Sequence, residues 1–251
     1  MYKNIMKCIW MEAEVVDYKI CDMDFNCDSC AFHSQLTGCK QFENKSIDSG
    51  IIPTVEISVL DPNPAYFHPG VQYYRNHCWI KHIGKNTVLI GLDEFFLNLL
   101  YNIKSVLLAV QGTELNENSS FGWIVISCGM VCLKIPFSAQ VLELNNQVQE
   151  IDVNEFCKQE LVDQWLLKLN INDEEIDRDK WLTKQQYIDL LSDDATTIKK
   201  LIKDHSTLQN YGTIASGGRL TSYKNQNKFT IPKNLLMKIA RQVFNNNHLF
   251  I

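Results

Sequence analysis

The sequence predicts a mainly β fold, preceded by a Cys-rich segment and followed by helices. Between residues 72 and 148, short runs of β-branched and aromatic residues alternate with Gly, Asn or Ser turns. The runs are HCWIKHI, TVLIGL, SVLLAV, GWIVIS, MVCLKI and QVLEL. Several short strands and one small helix in under eighty residues indicate a compact β-barrel or sandwich.

One segment of this region is predicted to be a helix rather than a strand. DEFFLNLLY, residues 93–101, spaces its apolar side chains as one face of a helix does. Asp93 stands where an N-cap belongs. We expect the adjacent acids Asp93 and Glu94 to serve this capping role.

The composition and the length of the apolar runs are those of a globular protein rather than of a membrane protein. The chain has 251 residues, of which 45% are hydrophobic and 21% charged, the balance of an ordinary globular protein. Its apolar runs are shorter than the roughly 18–20 residues of a membrane span. The first residues, MYKNIMKCIWMEAEVV, lack the apolar core of a signal peptide. We therefore expect a cytoplasmic protein without a membrane span.

Four stretches follow one another along the chain. Residues 1–50 form a Cys-rich extension, and residues 51–71 hold four of the six prolines, as a linker does. Residues 72–170 form the β domain, and residues 171–251 a helical, basic C-terminal extension.

The last third of the chain is predicted to be largely helical. EFCKQELVDQWLLKL has near-helical apolar spacing, although WLLKLNI could equally be a strand. Thr183 is the predicted N-cap of KQQYIDLLSD, and TTIKKLIKDH is predicted to form another helix. IPKNLLMKIARQVF presents one apolar face, composed of Leu235, Leu236, Ile239, Val243 and Phe244.

Charge is unevenly distributed, although the formal net charge is only −5. Residues 151–205 hold thirteen acidic and eight basic side chains, whereas residues 206–251 hold six basic and no acidic ones. A basic tail can bind nucleic acid or an anionic membrane. These charges are sparser than in polybasic clusters, so we expect the tail to dock on the protein's own acidic region or on an acidic partner.

Nine cysteines are present, and five of them lie in the first forty residues: Cys8, Cys21, Cys27, Cys30 and Cys39. In a reducing compartment, such a cluster points to metal binding rather than to disulfides. Cys27 and Cys30 have the Cys-x2-Cys spacing of a zinc knuckle.

A tetrahedral site needs two further ligands. Cys21 is the expected third, and the fourth could be Cys8, Cys39 or His33. The nearby Asp22, Asp24 and Asp28 favour a divalent cation such as zinc. An iron–sulfur cluster, also held by four cysteines, is the alternative.

One family shows a similar order of motifs. HCWIKHIGKNTVLIGLDEFFLNLLYNIKSVLLAVQG resembles the glycine cleavage system H protein, with its His-x-Trp strand, turn, helix and strand. KIPFSAQVLELN is similar to the family's Pro-Val-Ser-Gly segment, and WLLKL to its closing strand. The resemblance covers residues 77–146 and 165–169. It implies a barrel-sandwich hybrid of the lipoyl/biotinyl type, with His77 and Trp79 in structural roles.

The resemblance also locates the family's modified lysine. It stands on a hairpin eight positions before the proline, and counting back from Pro136 gives Cys128. The nearest lysine, Lys134, falls within a strand. We therefore expect no lipoate. Cys128 and Cys132 could form a redox pair, but core packing of Cys132 is favoured.

The first residues resemble a further group. CIWMEAEVVDYKICDMDFNCDSCAF is similar to the leader of bacterial H-protein-like proteins that also lack the lipoyl-lysine. The resemblance implies a scaffold or regulatory protein. It favours Cys8 as the fourth metal ligand, which gives the set Cys8, Cys21, Cys27 and Cys30.

The sequence shows no catalytic motif: a P-loop, a nucleophile elbow and a Ser-His-Asp order are all missing. We therefore expect a non-enzymatic adaptor with a structural zinc site. It would bind another protein or a second copy of itself through the C-terminal region, with Leu236, Ile239, Val243 and Phe244 as the anchor, and no nucleic acid. The alternatives are an iron–sulfur or thiol redox protein and a lipoyl-type carrier of glycine cleavage.

Overall fold

The structure is a computed structural model. It describes residues 7–12, 16, 18–23, 27, 30–33, 54–56, 66–99, 103–126, 129–150, 153–157, 159–172, 176–211, 228–230, 235, 239 and 243.

Eleven strands are present in the described residues. They are β1 (Thr54–Glu56), β2 (Gln72–Tyr73), β3 (Cys78–Gly84), β4 (Thr87–Leu92), β5 (Ile103–Leu108), β6 (Glu114–Leu115), β7 (Ser120–Ile126), β8 (Gly129–Lys134), β9 (Ala139–Leu144), β10 (Trp165–Ile171) and β11 (Lys228–Thr230). The helices are α1 (Ile9–Glu12), α2 (Glu94–Leu99), α3 (Gln147–Glu150), α4 (Val153–Phe156) and α5 (Lys184–Tyr211). Single 3-10 turns span Leu161–Asp163 and Arg178–Lys180.

Two antiparallel sheets form the body of the domain. The larger has six strands in the order β2-β3-β4-β10-β9-β6, and the smaller has three in the order β5-β7-β8. Residues from both sheets share one hydrophobic core. The prediction of a mainly β fold is confirmed, and the six predicted runs all contain strands at the expected places.

Strand β10 decides between the two interpretations of WLLKLNI. It lies between β4 and β9 in the larger sheet, so the helical interpretation of these residues is wrong. Leu167, Leu169 and Ile171 alternate into the core, as one face of a strand does. Pairing on both sides satisfies the backbone of β10 and outweighs the local helical spacing.

Helix α2 begins as predicted. Asp93 accepts a hydrogen bond from the backbone N–H of Phe96 at 2.8 Å, which satisfies one of the otherwise unpaired donors of the first turn. Phe95, Phe96 and Leu99 are buried. Asp93 is therefore confirmed as the N-cap.

Helix α5 is longer than the sequence pattern indicated. The two predicted helices KQQYIDLLSD and TTIKKLIKDH form one helix of 28 residues, so their separation was wrong. Thr183 caps it as expected: its Oγ1 accepts from Gln186 N–H at 3.3 Å, and Gln186 Oε1 accepts from Thr183 N–H at 2.8 Å. This reciprocal pair is a capping box.

The buried face of α5 lies on the β core. Its members recur every three or four residues: Tyr187, Leu191, Ala195, Ile198, Leu201 and Ile202. This spacing gives one apolar helix face, and the cluster that it joins contains residues of both sheets.

The C-terminal residues that the structure describes also pack on the chain itself. Leu235 and Ile239 are buried in the main core, and Val243 packs against it. Ile239 is fully buried, which contradicts its expected role as an anchor for a partner. Leu236 and Phe244 lie outside the described residues.

Strand β11 pairs with β1 in an antiparallel two-stranded sheet, Thr54 lying opposite Thr230. Part of the predicted linker is thus a strand, and part of the basic tail docks on the protein's own chain. No helix in the described ranges is long and apolar enough to cross a membrane.

Candidate functional site

The hairpin of β7 and β8 is the position at which the family's modified residue was expected. The two strands pair along their whole length, and Ile126 lies opposite Gly129. Ser127 and Cys128 are therefore the connection between the strands, although both lie outside the described residues. Lys134 lies at the other end of β8, opposite Ser120, as expected for a strand residue.

The three-stranded sheet has apolar residues on both faces. Val106, Ile124 and Val131 belong to the main core, whereas Trp123 and Cys132, which alternate with them, belong to a second cluster. We call this second surface the outer face of the sheet. Trp123 lies opposite Cys132 on β8 and Leu107 on β5, so it is central to the outer face.

The Cys-rich N-terminal segment covers this outer face. The second cluster contains Trp123, Val125 and Cys132 of the sheet together with Cys8, Ile9, Trp10 and Cys27. Trp123 is only 3% exposed. His33 completes the cover, since its ring centroid lies 5.2 Å from that of Trp123 and 5.7 Å from that of Trp10.

The predicted metal ligands come from two local structures of this segment. Cys27 and Cys30 bracket a turn that the Cys30 N–H closes on the Cys27 carbonyl at 3.1 Å. Lys7 pairs with Ile20 in an isolated antiparallel bridge, and Cys8 N–H donates to Lys19 carbonyl at 2.8 Å. Cys8 and Cys21, each next to a member of the bridge, are thereby drawn together.

We refer to Cys8, Cys21, Cys27 and Cys30 as the thiol cluster. Burial raises the pKa of Cys27 above the ordinary value, and the other three thiols and Cys132 raise it further. Burial also raises the pKa of Cys8, with added contributions from Cys21 and Cys30. Of these four residues, Cys8 and Cys27 pack together in the second cluster.

The thiol cluster contains no disulfide. Within the described ranges, no three His, Cys, Asp or Glu side chains are placed so that they could hold one metal ion. Cys39, one of the alternatives for the fourth ligand, lies outside these ranges.

Cys132 is the member of this region that sequence reasoning missed. It was predicted to pack in the core of the β domain, and it is indeed buried, but on the outer face beside Cys27. A sequence feature could have indicated that this sheet is covered on both faces. GWIVIS, on the strand that pairs with that of Cys132, is apolar at successive positions. Such a run is typical of a strand that is covered on both faces.

A second polar constellation lies inside the domain, around His77. Its Nδ1 is 2.8 Å from Asp93 Oδ2, and its Nε2 is 3.2 Å from Asp194 Oδ2. Tyr187 donates its hydroxyl to the same Asp93 oxygen at 3.1 Å. His77 and Asp93 are fully buried. The histidine thus joins β3, α2 and α5.

The local backbone explains how His77 reaches this position. Tyr74 N–H donates to Cys78 carbonyl at 2.9 Å, which leaves a three-residue loop between β2 and β3. His77 is its last residue and has a φ of 62°, the left-handed conformation that such loops require at this point. Asp93 N–H donates to the His77 carbonyl at 2.9 Å and fixes the turn.

The carboxylates determine the charge of His77. Burial alone lowers the pKa of a histidine, but Asp93 and Asp194 together raise the pKa of His77 to about 10. Burial, reinforced by Asp93, raises the pKa of Tyr187 above its ordinary value. The network therefore holds an imidazolium between carboxylates. Its connections make it a structural element, as predicted for His77, and Trp79 is confirmed as a core residue.

Two antiparallel sheets around one hydrophobic core form a barrel-sandwich domain of the lipoyl type. Residues 71–194 match the family model described as glycine cleavage H-protein. The glycine cleavage system H protein of Staphylococcus haemolyticus is 30% identical over 124 residues, which cover 49% of this chain and 95% of that protein. The chain belongs to the glycine cleavage H-protein family.

A second relative and a solved structure match this chain over about the same share of its length. The H protein of Staphylococcus epidermidis is 28% identical over 123 residues, covering 49% of this chain and 94% of its own. A crystal structure of the H protein from Mycobacterium marinum is similar over 48% of this chain and 95% of its own, at 20% identity and a TM-score of 0.41.

Proposed function

We propose that this protein is a non-enzymatic adaptor built on an H-protein domain that carries no lipoyl group. The observation that supports this proposal is the connection between β7 and β8, since it consists of Ser127 and Cys128. Lipoate is attached to a lysine amine through an amide bond. A thiol at position 128 offers no amine for that bond.

The nearest lysine is poorly placed to substitute. Lys134 lies at the end of β8 opposite Ser120, far from the hairpin connection. Its backbone carbonyl accepts a hydrogen bond from the Asn76 side chain at 2.9 Å, so this end of the strand is fastened to the β2–β3 turn. A ligase would have to reach a lysine on a paired strand rather than one on an exposed turn.

What the domain retains is its scaffold. Both sheets and the hairpin are present, so a partner that recognises the shape of an H protein finds the same framework without the transferable group. We propose that the protein contacts enzymes that act on H proteins, and that it delivers nothing to them. The C-terminal residues that pack in the core are not part of this surface.

The absence of lipoylation is tested by the mass of the intact chain. The protein is produced together with a lipoate ligase and exogenous lipoate, with a lipoylated H protein as the positive control. We expect the mass of the bare chain, because position 128 has no amine. A mass increase equal to one lipoyl group would contradict the proposal.

The adaptor function is tested by competition. Glycine cleavage is reconstituted with a lipoylated H protein, and the present chain is then added in excess. We expect it to give no turnover by itself and to slow the reaction by occupying H-protein docking surfaces. Turnover with this chain alone, or an unchanged rate at large excess, would show that it is not an adaptor of this kind.

A further inference from the structure

We propose that the N-terminal segment is a strap that opens and closes on the outer face of the three-stranded sheet, while the β domain stays folded in both states. The strap comprises the described residues from Lys7 to His33. In the closed state, which this structure shows, it hides the apolar side chains around Trp123. In the open state these side chains face solvent, so the strap controls access to an apolar surface of the domain.

Backbone hydrogen bonds of the strap run within the strap itself. Cys8 N–H donates to the Lys19 carbonyl at 2.8 Å, and Val16 N–H donates to the Trp10 carbonyl at 3.2 Å. The contact between the strap and the sheet is a cluster of apolar and aromatic side chains. The strap can therefore leave the sheet as a unit, with these backbone hydrogen bonds intact.

The core of the β domain is separate from the strap. The main core contains residues of both sheets and of α5, and among the described residues none of its members belongs to the strap. The strap also precedes the H-protein domain of residues 71–194. Parts of a protein that lie outside its main core open at a lower free energy than the core itself. Opening of the strap therefore does not require unfolding of the domain.

The closed state buries two polar atoms of the outer face, Trp123 Nε1 and Ser105 Oγ, that have no hydrogen-bond partner among the described residues. Ser105 lies opposite Val125, which belongs to the second cluster. A polar group that is buried without a partner has lost its hydrogen bonds to water, and this opposes burial. Such groups are rare in the permanent cores of proteins. Opening returns both atoms to water, so this interface favours reversible closing.

Apolar burial holds the strap closed against this cost. Ile9 and Trp10 are buried, and the ring of His33 contacts the rings of both Trp10 and Trp123. Removal of such side chains from water is favourable. The regular structure of the strap adds little, because α1 has four residues and a helix of this length is not stable by itself. The closed state is therefore the populated one, and the open state is its accessible alternative.

Amide hydrogen exchange of the unmodified full chain, followed by NMR at several low urea concentrations, tests the proposal. The amides of Cys8 and Val16 should be protected, but should exchange about 100-fold faster than those of β4 and β10. Their exchange should depend little on urea, because local opening exposes little surface. The same exchange and urea dependence in strap and core would overturn the proposal, and so would a complete lack of protection in the strap.

Two isoleucine variants separate opening of the strap from unfolding of the domain. Ile9→Ala weakens the closed state and should speed exchange of the strap amides by more than about tenfold. Ile198→Ala, at a buried position of the main core, should speed exchange of the core amides and leave that of the strap amides unchanged. Acceleration of strap and core to the same extent in Ile198→Ala would mean that the two open together, which contradicts the proposal.

A serine variant tests the cost of closing with the opposite sign. Ser105→Ala removes the buried hydroxyl, so the closed state should gain stability and the strap amides should exchange about fivefold more slowly. The matched control is Ser192→Ala, at an exposed position of α5, which should leave strap exchange as in the parent chain. Unchanged or faster strap exchange in Ser105→Ala would show that this hydroxyl does not oppose closing, and would overturn this account of the strap.

Discussion

His77 carries its charge in the protein interior, between Asp93 and Asp194. Its neighbours explain why the imidazolium is tolerated there: each ring nitrogen faces a carboxylate, at 2.8 and 3.2 Å. Removing one member of such a buried group leaves an uncompensated charge, which typically costs about 3–5 kcal/mol. The ion pairs also connect distant elements, because Asp194 lies on α5 and Asp93 caps α2.

We predict that His77→Asn lowers the free energy of unfolding by about 3–5 kcal/mol at pH 6. Asn tolerates the left-handed backbone of this position. The folded-state pKa of His77 is raised to about 10, above the unfolded value of about 6.5. Its stabilisation is therefore complete below pH 6.5 and is lost as the pH rises towards 10.

Urea unfolding of the parent and the variant between pH 6 and pH 10 measures this difference. The deficit of His77→Asn should shrink by about 1 kcal/mol per pH unit across the upper part of this range. His82→Asn, at a partly exposed position of β3, is the matched His-to-Asn control. A deficit that does not vary with pH would mean that His77 is neutral in the folded protein.

Helix α5 is the element that connects the C-terminal extension with the β domain. Tyr187 and Asp194 lie seven residues apart and so project from the same side of the helix. Together they carry the contacts with Asp93 and His77. The position of the first turn therefore matters for the buried network, and the capping box at Thr183 and Gln186 fixes where that turn begins.

We predict that Thr183→Ala destabilises the protein by about 1 kcal/mol, because it removes the oxygen that accepts from Gln186 N–H. Thr196→Ala is the matched control: Thr196 is exposed on the same helix, and Ala has the higher helix propensity there. Thermal unfolding of both variants compares the two positions. Equal losses, or a loss in the control alone, would contradict the role of Thr183 as a cap.

On the scale of the whole molecule, the N-terminal segment and the β domain share a hydrophobic cluster. Trp123, Val125 and Cys132 would face water on the sheet alone, but Cys8, Ile9, Trp10 and Cys27 cover them. The extension and the β domain are thus not independent units.

We predict that deletion of residues 1–33 exposes Trp123 without unfolding the β domain, because the main core does not include the segment. Trp123 fluorescence should shift to longer wavelength and become more accessible to acrylamide. The same deletion with Trp123→Phe assigns the signal. Unchanged quenching would show that the segment does not cover Trp123 in solution.

The sequence located most of the strands, because each was a short apolar run between turn residues. It also identified the cap at Asp93, which depends on neighbours within a few residues, whereas the core position of Trp79 was implied by the family resemblance. It left WLLKLNI open between helix and strand, because helical and strand patterns coincide over this short stretch, and the family resemblance favoured the strand. Pairing with β4 and β9 on both sides decided that segment, and such pairing depends on residues distant in the chain.

For the candidate sites too, some features were predictable from the sequence and others depended on the tertiary structure. By itself, the sequence determined the family resemblance, the absence of lysine at position 128 and the grouping of cysteines near the N-terminus. Only the tertiary structure showed that Cys8 and Cys27 pack on the outer face of β7 and β8 together with Cys132, and that Asp194 reaches His77. The reason is physical: spacing along the chain fixes which residues share a turn or a strand face, whereas burial and charge pairing arise where distant segments pack together.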